Sequence, residues 1–263
     1  MLEATGRKLC HKVGNFIEDK CASTGRIVNL CLATLRQLPK ANRREVIRQM
    51  AKLGVDSLPI VTMTIMCTGM VFSVQTAKEF VRFGAAASVG GIVAIAMGRE
   101  LAPILTGVVV AGRIGAAIAA EIGTMKVTEQ IDALKVMATS PISYLVVPRF
   151  LAIVLMLPIL ILYANIVGNF GGWLVATNYA DISSYMYVDS IRQFATSWDF
   201  TAGMLKGAVF GGIVAIVGCH KGLLAKQGAE GVGIATTASV VLSIVLIFIS
   251  NYFLSLILFV QGG

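Results

Sequence analysis

Arg99 and Glu100 stand side by side within residues 85–120, a stretch otherwise apolar or small except for Arg113. A charge in hydrocarbon is costly unless it faces a cavity, a partner or the lipid headgroups. The pair is therefore the first candidate for chemistry. Arg99 offers a planar fork suited to a phosphate, and Glu100 could orient Arg99 or meet a second cation. The plainer alternative places both at the outer lip of a long span, simply solvated. Arg113 and Glu121 are two turns apart, too far to pair directly, and read as structural.

Other chemistry finds little support. There is no GxxxxGK[ST] loop, and the glycine run GAEGVG at 228–233 lacks the lysine that would reach a phosphate, so the chain is not expected to hydrolyse ATP alone. A GxSxG elbow and an HExxH pair are also absent. The five cysteines, Cys10, Cys21, Cys31, Cys67 and Cys219, form no CxxC, and His11 and His220 are the only histidines. That leaves no four-ligand metal set and points to reduced structural thiols. The reading is a non-catalytic chain without metal or cofactor of its own.

The elements that must position Arg99 and Glu100 follow from composition. In 263 residues, 56% are hydrophobic and 14% charged, far too apolar for a soluble domain. The length allows about five or six spans of roughly 20 residues. The net charge of +8 suits membrane orientation and anionic lipid, and argues against nucleic acid as a partner. No cleavable signal peptide is expected, because residues 1–54 carry charge throughout.

Residues 1–54 are amphipathic. Leu9, Val13, Phe16 and Ile17, then Val46, Ile47, Met50 and Leu53, follow helical spacing among basic residues. They predict helices lying on the membrane surface, with a small soluble helical hairpin as the alternative. Residues 55–263 form the membrane-spanning part, with spans predicted at 57–74, 85–120, 145–176, 202–218 and 234–260. Asp56 or Ser57 is placed to cap the first, and Lys78, Glu79 and Arg82 to form a polar connection after it. The second is too long to stand upright, and Gly98 and Pro103 suggest a break. Residues 121–140 read as a short amphipathic loop helix, and the Tyr- and Trp-rich segment 177–200 suits a membrane interface. The fold class is thus all-α, with five transmembrane helices after the N-terminal interfacial ones.

With the N-terminus inside, cytoplasmic segments hold sixteen basic residues. The opposite side holds four: Lys78, Arg82, Arg192 and Lys206. This predicts a cytoplasmic N-terminus, a cytoplasmic 121–140 helix and an external C-terminus. Small residues recur every four positions at Gly107, Ala111, Gly115, Ala119 and Gly123, and again at Gly203, Gly207, Gly211 and Ala215. They allow close backbone approach, within one subunit or between two.

The words RELAPILTGVVVAGRIGAAIAAEIGTMKVTEQIDALKVM from Arg99 to Met137, then PISYLVVPRFLA, VGCHKG and GAEGVGIATT, closely resemble the MlaE/YrbE permeases. These are the membrane subunits of MCE-type ABC lipid transporters. The resemblance covers roughly Leu53 to the C-terminus and implies a bacterial inner-membrane protein working as a homodimer. Implied partners are an ABC ATPase dimer carrying ATP and magnesium, a hexameric periplasmic MCE lipid-binding protein and, in some systems, a small STAS-domain regulator. The implied substrate is glycerophospholipid, moved to maintain outer-membrane lipid asymmetry. Residues 121–138 would be the coupling helix, with Lys126, Glu129, Gln130 and Asp132 against the ATPase. Arg99 and Glu100 would meet the lipid headgroup. Val61, Ile65 and Val71 on the first span, and Leu101, Ile104, Leu105 and Val108 on the second, could wall the acyl-chain cavity. An ATPase-independent solute or ion transporter and a passive membrane scaffold remain the alternative readings.

Overall fold

The uncharged run that follows Asp56 becomes helix α3, Leu58–Arg82, which ends eight residues later than expected. Nothing in TAKEFVR breaks a helix, and Gly84 at φ +71° is the first residue able to end it. Lys78, Glu79 and Arg82 are therefore its last turns, with Arg82 3.6 Å from Glu79. Ser57 does not cap α3. Its hydroxyl donates to the Leu53 carbonyl at 2.7 Å, the i−4 bond that threonine and serine make inside helices.

In this computed structural model residues 2–226 and 228–260 are described. The side chains of residues 2–17, 19, 20, 40 and 260 are not, so Leu9, Val13, Phe16, Ile17, Cys10 and His11 lie outside the described set. The chain begins with α1, Leu2–Gln37, and α2, Arg43–Gly54, the latter capped by Asn42, whose side chain accepts from the Arg44 amide. A single helical turn at Val55–Ser57 joins α2 to α3. The buried stripe Val46, Gln49, Leu53 and Gly54 lies on α2, and Gly54 rests against Met156. Ile47, expected on the same apolar face, lies off this stripe and is 66% exposed.

The second span is continuous over Ala86–Val127. The break expected near Gly98 and Pro103 takes another form, a widened π turn at Met97–Leu101 between α4, Val89–Ala96, and α5, Ala102–Val110. A second π turn at Ala111–Gly115 leads into α6, Ala116–Val127. Such single-turn bulges re-aim side chains without ending the helix.

The segment 121–140 is not one helix. α6 runs on to Val127, Glu129 adopts a left-handed backbone at φ 59°, and only then does α7, Gln130–Val136, begin. A π turn at Ile142–Val146 opens α8, Val147–Tyr179, which carries Pro158 within it. The interfacial segment folds as α9, Ser184–Phe194, whose Tyr187 is buried over Gly90 and Gly172. α10, Ser197–Leu223, starts with a reciprocal Thr196–Asp199 capping box, and α11, Gly228–Ser255, ends in a π turn at Leu256–Val260. Among the described residues five helices are long and apolar enough to cross a membrane, and there is no strand.

α8 is the central element: α3 packs along one side of it and α10 along the other. The periodic small residues serve packing within the chain. Gly107 faces Phe210, Gly115 faces Val214, and Gly211 lies against the Ile153 carbonyl. Gly207 faces Ile161, and Gly203 sits directly on the Gly98 carbonyl. Ala111, Ala119 and Ala215 are fully buried, and Gly123 approaches Ala225 and Val232.

Candidate functional site

The π turn at Met97–Leu101 places Arg99 and Glu100 in one charged cluster with groups from α10 and α11. Pro103 has no N–H to give the Arg99 carbonyl four residues back. The Lys206 ammonium donates to that carbonyl instead, at 2.8 Å. The same ammonium donates to Glu100 Oε1 and Ser255 Oγ, each at 2.8 Å, so all three of its protons are used. Ser255 Oγ donates in turn to Glu100 Oε1 at 2.7 Å, and Asn251 Nδ2 donates to Oε2 at 2.8 Å. Glu100 is thus held on both oxygens.

Arg99 is held separately. Its Nε donates to Asp199 Oδ1 at 2.6 Å, while Asp199 Oδ2 accepts from the Thr196 amide and hydroxyl. The Phe259 ring lies 4.7 Å from the Arg99 guanidinium and 5.2 Å from Lys206 Nζ. Lys206 and Asp199 are fully buried, whereas the side chains of Arg99 and Glu100 are 39% and 38% exposed. Two cations and two carboxylates sum to zero within the cluster. It is anchored from below and open from above at the two residues singled out from sequence.

Arg99 and Glu100 therefore do not orient one another: Glu100 meets the second cation, Lys206, and Asp199 orients Arg99. Asp199, Lys206, Asn251, Ser255 and Phe259 were missed as site residues. Lys206, counted among four basic residues of the outer side, is instead inside a spanning helix with no exposure. A signal for it existed, since it lies between Gly203 and Gly207 of the small-residue ladder. Gly203 is the point where α10 touches the bulge.

Four of the expected cavity-wall residues share one surface. On the second span, Leu101, Ile104, Leu105 and Val108 lie on a partly uncovered stripe that continues through Val109, Gly112, Arg113, Ala116 and Ala117 to Glu121. Val71, 57% exposed, joins Leu101 in a 330 Å³ groove with Cys67 and Phe72. Val61 and Ile65 are different. Both have no exposure, and Ile65 packs on Gly168, so they are core rather than wall within this chain. A separate, almost wholly apolar groove of 580 Å³ between α1, α8 and α10 contains none of the seven.

At the opposite end a second polar layer forms. Arg149, 5% exposed, bonds Glu121 Oε1 at 2.9 Å and the Leu145 carbonyl at 2.8 Å, with Lys52 3.9 Å from Glu121. Arg113 reaches Ser57 and Asp56 rather than Glu121. Beyond this layer, Asp132 accepts from both Lys126 and Lys135 at 2.8 Å. The Lys126 ammonium, and then that of Lys135, holds the Asp132 carboxyl down to about 2. Glu129 and Gln130 are exposed, as are Val136 and Met137 at 88% and 66%, while Ile131 anchors the turn in the core. Within α9, burial pushes the Tyr187 phenol far up. Among the described residues no group of three metal-ligating side chains forms.

Comparison with known proteins agrees with this architecture. Residues 46–257 match the family model Permease MlaE. A probable ABC transporter permease protein of Synechocystis sp. is 48% identical over 224 residues, covering 85% of each chain. A probable ABC transporter permease protein of Rickettsia prowazekii is 45% identical over 254 residues, 96% of this chain and 98% of that one. The chloroplastic protein TRIGALACTOSYLDIACYLGLYCEROL 1 of Arabidopsis thaliana is 41% identical over 224 residues, 85% of this chain and 64% of its own. Five spanning helices around a charged bulge, and matches of this extent, make the chain a member of the MlaE permease family, an ABC transporter permease.

Proposed function

We propose that this permease moves glycerophospholipid between a bacterial inner membrane and a periplasmic MCE protein, maintaining outer-membrane lipid asymmetry. The observation that carries this reading is a surface shaped like an amphiphile. Arg99 and Glu100 present half-open charge at one end of the stripe formed by Leu101, Ile104, Leu105 and Val108. A phosphate would take the Arg99 fork while acyl chains lay along the apolar turns below. The Arabidopsis relative's name, that of a galactosylated diacylglycerol, supports a substrate with two acyl chains. The cluster's internal neutrality, with Lys206 closed on three acceptors, argues against an ion path.

Two copies of the chain would face their stripes across a shared cavity. An ABC ATPase dimer carrying ATP and magnesium would sit beneath α7, where the exposed Glu129, Gln130, Val136 and Met137, with Lys126 and Asp132, form the contact. A STAS-domain regulator would bind on that side. The basic residues favour this end, and the N-terminus, as cytoplasmic and the Arg99 end as periplasmic. ATP-driven closure would shift α7, tilt the second and fifth spans, and change the cavity's affinity for lipid.

The test is lipid retention. Arg99→Ala, purified with its ATPase partner, should lose most of the phospholipid that the wild-type complex carries, measured by mass spectrometry. Equal retention in a stable complex overturns the assignment. Separately, Glu129→Lys with Asp132→Lys should uncouple transport; normal ATPase co-purification and activity would refute the α7 contact.

A further inference from the structure

We propose that Arg113 is a second phosphate-binding residue on the lipid path, deep in the membrane, with Asp56 as its displaceable partner. The inference rests on the lipid reading of the uncovered stripe and adds a site to it.

Depth comes first. Arg99 and Glu121 are 22 residues apart on one continuous helix. At 1.5 Å per residue that is about 33 Å, close to the hydrocarbon thickness of about 30 Å. The Arg99 cluster and the Glu121–Arg149–Lys52 layer thus bracket the apolar slab. Arg113 lies eight residues, roughly 12 Å, inside the second boundary. It is the only charged residue on the stripe between those two layers.

Its environment is unlike that of the buried arginine at this end. Arg149 is 5% exposed and closed by two short bonds, to Glu121 and the Leu145 carbonyl. The Arg113 side chain is 35% exposed and makes one direct bond, from Nη1 to Ser57 Oγ at 2.6 Å. Among the described residues its only carboxylate, Asp56, stands 3.7 Å away and is itself 59% exposed. That is well beyond the roughly 2.7–2.9 Å of a charge-assisted hydrogen bond.

The surroundings leave room for a ligand. A Cβ on Gly112 would meet nothing within 4 Å, and Ala116 and Ala117 continue the same face with minimal side chains. The π turn at Ala111–Gly115 carries Arg113, as the π turn at Met97–Leu101 carries Arg99. A partly exposed guanidinium at this depth cannot rest against acyl chains and needs an anion or water. A phosphodiester offers two oxygens to its fork, a better match than a carboxylate held at arm's length. A phospholipid moving along the stripe would exchange Asp56 for its phosphate at Arg113 and reach Arg99 next.

The test uses the purified permease–ATPase complex, loaded in parallel with phosphatidylglycerol and with uncharged digalactosyldiacylglycerol of the same acyl chains. Arg113→Gln should lower phosphatidylglycerol retention about tenfold, the worth of one charge-assisted hydrogen bond, and leave the glycolipid unchanged. Asp56→Asn, which frees Arg113, should keep or raise phosphatidylglycerol binding. Loss of both lipids in Arg113→Gln, or a parallel fall in Asp56→Asn, would make the pair a structural clamp and overturn the proposal. Arg99→Ala, run alongside, separates the two claims: if it alone lowers retention, the lipid reading stands and Arg113 falls.

Should Arg113→Gln fail to fold, Ala117→Cys carrying a photo-activated cross-linker reports on the same place. Capture of phosphatidylglycerol, enhanced by Asp56→Asn, is expected. Cross-linking only to a second copy of the chain, with no lipid captured, overturns the proposal.

Discussion

The two polar ends of the membrane-spanning region solve the same problem in opposite ways. At the Arg99 end, charges are buried and saturated: Lys206 has no exposure and three acceptors, and Asp199 has no exposure and accepts from Arg99 and from the Thr196 amide and hydroxyl. At the α7 end, Lys126, Asp132 and Lys135 are 34%, 46% and 56% exposed and pair in water. Burial makes the first cluster intolerant of losing a member, whereas solvent can replace any member of the second. On the proposed reading the first would be a fixed polar point for cargo and the second a yielding contact for the ATPase.

The largest expected effect comes from breaking the dry cluster. Lys206→Met leaves the half-open Glu100 without its cation and the Arg99 carbonyl without its donor, and should cost about 3 kcal/mol. Thermal unfolding of the purified complex would show it, and Lys206→Met combined with Glu100→Gln should recover much of the loss. A double variant no better than the single would mean that Lys206 acts through packing, not charge.

Glycine substitutions sharpen the comparison. Gly203→Val drives a side chain into the Gly98 carbonyl, and should cost about 1–3 kcal/mol while separating Arg99 from Asp199. On α11 near the opposite end, Gly233 has nothing within 4 Å of an added Cβ. Gly233→Ala should instead stabilise by roughly 0.5–1 kcal/mol through lost backbone freedom. Equal effects from the two would erase the distinction between a close contact and an open surface.

The smallest effect belongs to the solvated network. Asp132→Asn removes two exposed ion pairs and should change the melting temperature little. Because the folded Asp132 titrates near 2, below its ordinary 3.8, its contribution is present above pH 4 and fades as pH falls toward 2. Carboxyl NMR should find that low midpoint in wild type and an ordinary one when Lys126 and Lys135 are both replaced by alanine.

How much of this was legible in the sequence depended on the range of the interaction. Five spans, the amphipathic α2 and the small-residue ladders follow from periodicity and length, which are local. Arg99 and Glu100 stood out because charge in an apolar run is itself a signal. Their partners did not, since Lys206, Asn251 and Ser255 are separated from Glu100 by more than a hundred residues. Only helix packing brings them together. Val61 and Ile65 were misplaced for a related reason. An apolar side chain facing lipid and one facing α8 look alike until the neighbouring helix is known. The split of 121–140 turned on a single residue, Glu129, whose left-handed backbone no composition rule would assign.

The central claim is that a lipid lies along the second span with its headgroup at Arg99. It is tested most directly by placing a photo-reactive side chain at Leu105 and, as a control, at Met63, which is 74% exposed on α3. In the detergent-purified complex, irradiation at Leu105 should capture phospholipid, capture should fall when Arg99→Ala is added, and Met63 should capture little. Equal capture at both positions, indifferent to Arg99, would mean that the stripe holds only ordinary surrounding lipid and would contradict the account.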